Sequence, residues 1–72
     1  MRIVLSNHAK KRLVERSIKM KDIEEAIDIP DYTVSKGNKK EAYKKFNGKT
    51  IKVVYSEEDK YIKVITLIWK WK

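Results

Sequence analysis

Residues 41–55 read EAYKKFNGKTIKVVY, two runs of aromatic, aliphatic and lysine residues on either side of Asn47-Gly48. Both central residues of a type I′ turn need positive φ, which this dipeptide tolerates, so it predicts a tight β-hairpin. A two-residue turn also fixes the pairing: Phe46 falls opposite Lys49 and Ala42 opposite Val53. Successive side chains of a strand point to opposite faces. Ala42, Phe46, Ile51, Val53 and Tyr55 then share the core face, and Tyr43, Lys45, Lys52 and Val54 the other. Lys44 falls on the core side, the one residue that argues for a register slipped by one.

Downstream, Ser56 to Asp59 reads as an acidic connection. Tyr61 to Trp71 is a long β-branched and aromatic run, apolar on both faces in its middle apart from Lys63 and Thr66, as suits a central strand. Upstream, Tyr32 to Ser35 predicts another strand, joined to the hairpin by a turn at Gly37-Asn38. Ile29-Pro30 ends a helix over Asp22 to Asp28, because proline pushes the residue before it out of the α region. That helix is expected to turn Met20, Ile23, Ala26 and Ile27 inward. Before it lies a short connection with Ile18 as a core plug, and before that a helix from Asn7 to Arg16 with Ala9, Leu13 and Val14 at helical spacing. Ser6 is a natural N-cap for this first helix, and Arg2 to Leu5 a short strand.

The order is β-α-α-β-β-β. It predicts an α+β fold in which two N-terminal helices pack on an antiparallel sheet of about four strands, residues 1–72 forming a single domain without repeat or linker. No apolar run approaches the roughly 20 residues that span a bilayer, and the start of the chain has no signal-peptide pattern, so a cytoplasmic protein is expected.

The chain has 18 Lys and Arg against 10 Asp and Glu, a net charge of +8. Seven of those lysines fall between Ser35 and Lys52 with the single acid Glu41, whereas Asp22 to Asp31 carries five carboxylates and no cation. A basic, aromatic surface on a rigid hairpin favours a polyanion, because neutralised phosphates release their counterions. Tyr43, Lys44, Lys45 and Lys52 are accordingly the candidate nucleic-acid contacts. Lysines on an exposed sheet face also serve simply to block aggregation.

The absence of cysteine excludes disulfides, thiolate catalysis and cysteine-ligated zinc. One histidine leaves no zinc ligand set, and the carboxylates of the second helix lie opposite its apolar stripe, where they solvate it. No metal and no cofactor is expected, since no phosphate loop, nucleophile elbow or dinucleotide fingerprint occurs. His8, Arg12 and Arg16 recur every four residues and share a helical ridge. Cleaving a phosphodiester without metal needs a base, an acid and cations that stabilise the charge on phosphorus, and this ridge with the hairpin lysines could supply them. Alternatively, His8 only seats the first helix on the sheet. Trp69 and Trp71 alternate with Lys70 and Lys72 and are candidates for a partner interface, including a homodimer, or for stacking on bases.

The stretches HAKKRLVERSI (8–18), KDIEEAIDIP (21–30), YKKFNGKTIKVVY (43–55) and YIKVITLIW (61–69) together resemble a group of small prokaryotic domains of unknown function. Its members typically carry a His-Ala pair, an Arg and a Glu-Arg-Gly-Ile stretch, matched here by His8, Ala9, Arg12, Glu15, Arg16 and Ile18, with Ser17 in place of the glycine. That group looks like an offshoot of the RelE/ParE toxin superfamily. The resemblance implies helices on a sheet whose open face meets its target, messenger RNA on the ribosome for RelE-type members and gyrase for ParE-type relatives. The expected function is therefore a RelE-like toxin or toxin-derived domain that binds RNA or the ribosome and, if active, is a metal-independent endoribonuclease. The alternative is a non-catalytic module that binds nucleic acid, gyrase or a cognate antitoxin protein.

Overall fold

The computed structural model describes residues 2–71, with Trp71 through its backbone alone. Its elements are β1 (Arg2–Leu5), α1 (Asn7–Glu15), α2 (Met20–Asp28), β2 (Tyr32–Lys36), β3 (Lys39–Phe46), β4 (Lys49–Glu57) and β5 (Tyr61–Trp71).

The hairpin has the register that its turn predicts. Asn47 and Gly48 take φ of 46° and 86°, Phe46 pairs with Lys49 and Ala42 with Val53. Ala42, Ile51, Val53 and Tyr55 are buried in the core with Phe46 packed against them. Lys44 does lie on that side, yet no slip follows. Its stem runs along the sheet and its Nζ emerges 3.9 Å from Asp31 Oδ1. In the β2–β3 turn only Gly37 has a positive φ, 62°.

The sheet corrects the expectation of about four antiparallel strands. It has five strands in the order β1-β5-β4-β3-β2, so the element order is β-α-α-β-β-β-β, and it is mixed, because β1 runs parallel to β5. The physical reason lies in the flank that the meander leaves open. β5 has only β4 on one side, and Ile3 and Leu5 of β1 add their side chains to the same core as Ile62 and Val64. The chain then crosses the sheet as α1 and α2 to begin β2 at the far edge. A four-residue strand whose partner lies near the other end of the chain has no local signal of that pairing.

A β-bulge in β5 decides which residues face the helices. Tyr55 pairs with Val64 but Val54 with Thr66, leaving Ile65 as the extra residue. Ile62 and Val64 are buried before it and Leu67 after it, with Trp69 packed against the core. Regular alternation would have turned Thr66 and Ile68 inward instead.

The same bulge anchors α1. Ser6 N–H donates to Val64 O at 2.9 Å, Ser6 Oγ–H to the bulged Ile65 carbonyl at 2.8 Å, and Ser6 Oγ accepts from Ala9 N–H at 3.0 Å. One hydroxyl thus caps the helix and satisfies the sheet. Beyond β1, Arg16 Nη1 donates to Leu67 O at 2.6 Å, and Trp69 Nε1 donates to Arg16 O at 3.1 Å. α1 closes with Ile18 N–H on Leu13 O and Ser17 N–H on Val14 O, a Schellman pattern in which Ser17 holds the left-handed φ of 52° usually given to glycine.

Two residues expected inward are not. Ala9 at the point of closest approach lets α1 meet the sheet along a narrow arc, so Val14, one residue and about 100° round from Leu13, is 76% exposed. Met20 begins α2 rather than preceding it and is also exposed, while Asp22 accepts from Lys19 N–H at 3.2 Å to close the first turn. Among the described residues, no helix is long and apolar enough to cross a membrane.

Ser6→Ala removes the cap and orphans the Ile65 carbonyl, so urea unfolding should show a loss of about 1–2 kcal/mol. Ser17→Gly relieves the left-handed backbone and should raise stability by up to about 1 kcal/mol.

Candidate functional site

α1 and α2 cover one face of the sheet and leave the other bare. Alternation from the observed pairings puts Arg2, Lys36, Lys39, Lys45, Lys52, Lys63 and Lys70 on this open face, and among the described strand residues Glu41 is the only carboxylate there. Val34, Val54, Thr66 and Ile68 form its floor between the cations.

Its centre is a cluster built across three strands. Tyr43 Oη–H donates to Glu41 Oε1 at 3.0 Å, while Lys52 Nζ lies 3.3 Å and Lys36 Nζ 3.7 Å from Glu41 Oε2. Glu41 and Tyr43 are i, i+2 on β3, so they share a face, and Lys52 is the direct cross-strand partner of Tyr43. Tyr32 stacks on Tyr43 with centroids 4.5 Å apart and rings 11° from parallel. Lys52 Nζ and Lys70 Nζ sit 5.9 and 5.6 Å from the Tyr43 ring centroid. Covered in this way, Tyr43 is 7% exposed and Glu41 8%, whereas Tyr32 remains 56% exposed.

The ionisations support one another. Partial burial works to raise the Glu41 carboxyl, but the Tyr43 hydrogen bond and the ammonium groups of Lys52 and Lys36 outweigh it and hold it below the ordinary glutamate value. Burial, then the bond to Glu41, pushes the Tyr43 phenol up. Burial alone would depress Lys52, yet Glu41 and Tyr43 more than offset it and raise the ammonium. Each of the three shifts thus favours the form that pairs with the others, Glu41 as carboxylate, Tyr43 as phenol and Lys52 as ammonium.

The sequence candidates separate into distinct places. Tyr43, Lys45 and Lys52 do share the open face, but Lys44 is on the helix side. Asp31 links the two sides, its Oδ2 accepting from Lys45 N–H at 2.8 Å. His8 is exposed on α1, Arg12 Nη1 is paired with Glu15 Oε1 at 2.5 Å, and Arg16 is committed to Leu67 O. Because α1 packs on Val64 and Leu67, the sheet itself stands between the His8-Arg12-Arg16 ridge and the hairpin lysines. They do not form one concavity. Trp69 is half-buried on the helix side, edge-on to Phe46 at 6.3 Å with Lys49 Nζ 4.7 Å above its ring. The side chain of Trp71 lies outside the described residues. Sequence reasoning missed Glu41, Tyr32 and Lys36. The Glu-x-Tyr spacing opposite Lys52 was the available signal. Among the described residues, no three His, Cys, Asp or Glu side chains are grouped to hold a metal ion.

A family model described as a domain of unknown function (DUF4258) matches residues 5–69, from the end of β1 to Trp69. The chain belongs to this family. No match to it was found among curated proteins or among solved structures. The DUF4258 match takes in both helices, all of β2, β3 and β4, and Glu41, Tyr43, Lys52, Lys36 and Tyr32 of the cluster.

The pH dependence of stability follows from the directions above. Glu41, being lowered, contributes stability above the ordinary glutamate pKa of about 4.3 and loses it as the pH falls through its lowered value. Tyr43 and Lys52, being raised, contribute below about 10 and lose it as the pH rises through their raised values. Thermal melts of this DUF4258 domain should therefore show a plateau between these limits, with Glu41→Gln flattening the acid limb. Part of that limb should remain, because the Arg12 hydrogen bond also lowers Glu15.

Proposed function

We propose that this chain is a toxin-derived domain of RelE/ParE type that binds single-stranded RNA through the open face of its sheet and leaves it uncleaved. The observation that carries this reading is the uncovered face with seven cations and one carboxylate that is itself nearly buried. Cations spread over five strands can follow a phosphate backbone. Tyr32 adds a ring braced from behind by Tyr43 and open to solvent in front, which suits an unstacked base. A base inside a duplex cannot offer its flat surface to such a ring. The resemblance of the His8-to-Ile18 stretch supports the toxin ancestry, and an RNA ligand together with a cysteine-free chain suits the cytoplasm.

Binding is preferred to cleavage because general acid–base chemistry needs its groups within hydrogen-bond reach of the same substrate atoms. His8 is on the other side of the sheet from the lysines that would hold the phosphate, and both arginines of its ridge are already bonded within the chain.

Anisotropy titrations with a labelled single-stranded RNA should show steep salt dependence. Lys45→Gln/Lys63→Gln/Lys70→Gln should reduce the slope of log K against log salt by about 2, at roughly 0.7 per lysine on a single strand. Tyr32→Ala should weaken binding by about five- to a hundredfold, as expected for one lost stacking contact. RNA incubated in EDTA, with or without ribosomes, should stay intact. Tighter binding to duplex than to single strand, or products that disappear in His8→Ala, would overturn the reading.

A further inference from the structure

Resting on the proposed RNA-binding face, we infer that Lys36, Tyr43 and Lys52 form an oxyanion site for a phosphate group that the chain fills with its own Glu41 carboxylate until a ligand displaces it. Three groups from three different strands converge on one carboxylate: the phenol hydrogen-bonds Oε1, and two ammonium groups lie within ion-pair distance of Oε2. Convergent charged and hydroxyl donors of this kind also suit the oxygens of a phosphodiester or a free phosphate. A phosphodiester carries one negative charge, like the carboxylate, so it can take the same place once the Glu41 side chain swings outward to solvent, where water screens the charge it keeps.

The two sides of the exchange differ in mobility. Lys52 and Tyr43 are held by packing, with side-chain exposure of 18% for Lys52, whereas Lys36 is 67% exposed and makes the longest contact. Lys36 can follow an incoming phosphate outward while Tyr43 and the half-buried Lys52 keep their places. A carboxylate that served only to neutralise Lys52 would not need the Lys36 arm, nor a position at the centre of the most cationic surface of the molecule. The self-filled site raises the threshold for binding, so isolated weak anions are rejected and a strand that brings several phosphates at once is favoured.

Glu41→Gln keeps the shape and the acceptor for Tyr43 but removes the charge. At about 0.15 M salt it should bind a labelled single-stranded RNA about three- to tenfold more tightly, with a slope steeper by about 0.7 to 1.4 as one or two lysines are freed. Unchanged or weaker binding by a variant with unaltered circular dichroism would overturn the inference. A second measurement uses the unsubstituted chain and does not depend on RNA: the 13C shift of the Glu41 carboxyl, followed on addition of tripolyphosphate, should move as the carboxylate is displaced, and a resonance that stays put at saturation overturns the inference. If tripolyphosphate displaces Glu41 but RNA does not bind, the oxyanion site stands and the RNA reading falls. If RNA binds with Glu41 undisturbed, the RNA reading stands and the site falls.

Discussion

A slip of one residue between β3 and β4 would turn one strand over against the other, sending Ile51 and Val53 to solvent and Lys52 under the helices if β4 moved, or Ala42 to solvent and Tyr43 under the helices if β3 did. The left-handed backbone at Asn47 and Gly48 is what prevents it, since a two-residue turn leaves a single way to pair the strands. That local constraint reaches far. It sets which residues α1 and α2 pack on, and it places the Glu41 cluster on the side that the helices leave open. It also assigns Lys44 to Asp31 instead of to the cationic surface.

Carboxylates are concentrated away from the bare face. α2 and the segment after it hold Asp22, Glu24, Glu25, Asp28 and Asp31, while the bare face is almost wholly cationic. α1 and its C-cap, with Lys10, Lys11, Arg12 and Arg16, are basic as well, so on the helical side the acidic region is confined to α2 and its C-terminal end. Within the cationic face, the nearly buried Glu41 carboxylate has partners on both oxygens, the Tyr43 phenol on Oε1 and the Lys52 and Lys36 ammonium groups near Oε2. Among the described residues, no buried side-chain nitrogen or oxygen lacks a partner.

Much of the fold was legible in the sequence because its strongest signals are local. The Asn47-Gly48 turn, the Ser6 cap, the stop at Ile29-Pro30 and the five strand-forming runs each depend on a few adjacent residues. The parallel pairing of β1 with β5 depends on segments far apart in the chain and was not legible, which is why the sheet was expected to be wholly antiparallel. The count of about four fell short because the expected order placed three strands after the helices where four runs form four strands. The bulge at Ile65 was hidden for another reason: β5 is apolar on both faces, so either parity looked acceptable. At the site, the separation of His8 from the hairpin lysines could have been deduced, since helices that pack on the sheet face holding Ala42 and Val53 cannot share a side with Tyr43 and Lys52. Glu41 was counted as a lone acid among lysines, and only the pairing of strands brings its three donors together.

The pairing of Arg2–Leu5 with Tyr61–Val64 has a consequence for how the chain comes into being. During synthesis the segment that becomes α1 leaves the ribosome long before the strand it rests on, and its capping serine has neither Val64 nor Ile65 to bond. The first half of the domain therefore lacks its support until β5 has emerged. Completion of the fold waits on that strand, when β1 takes its place beside it at the edge of the sheet.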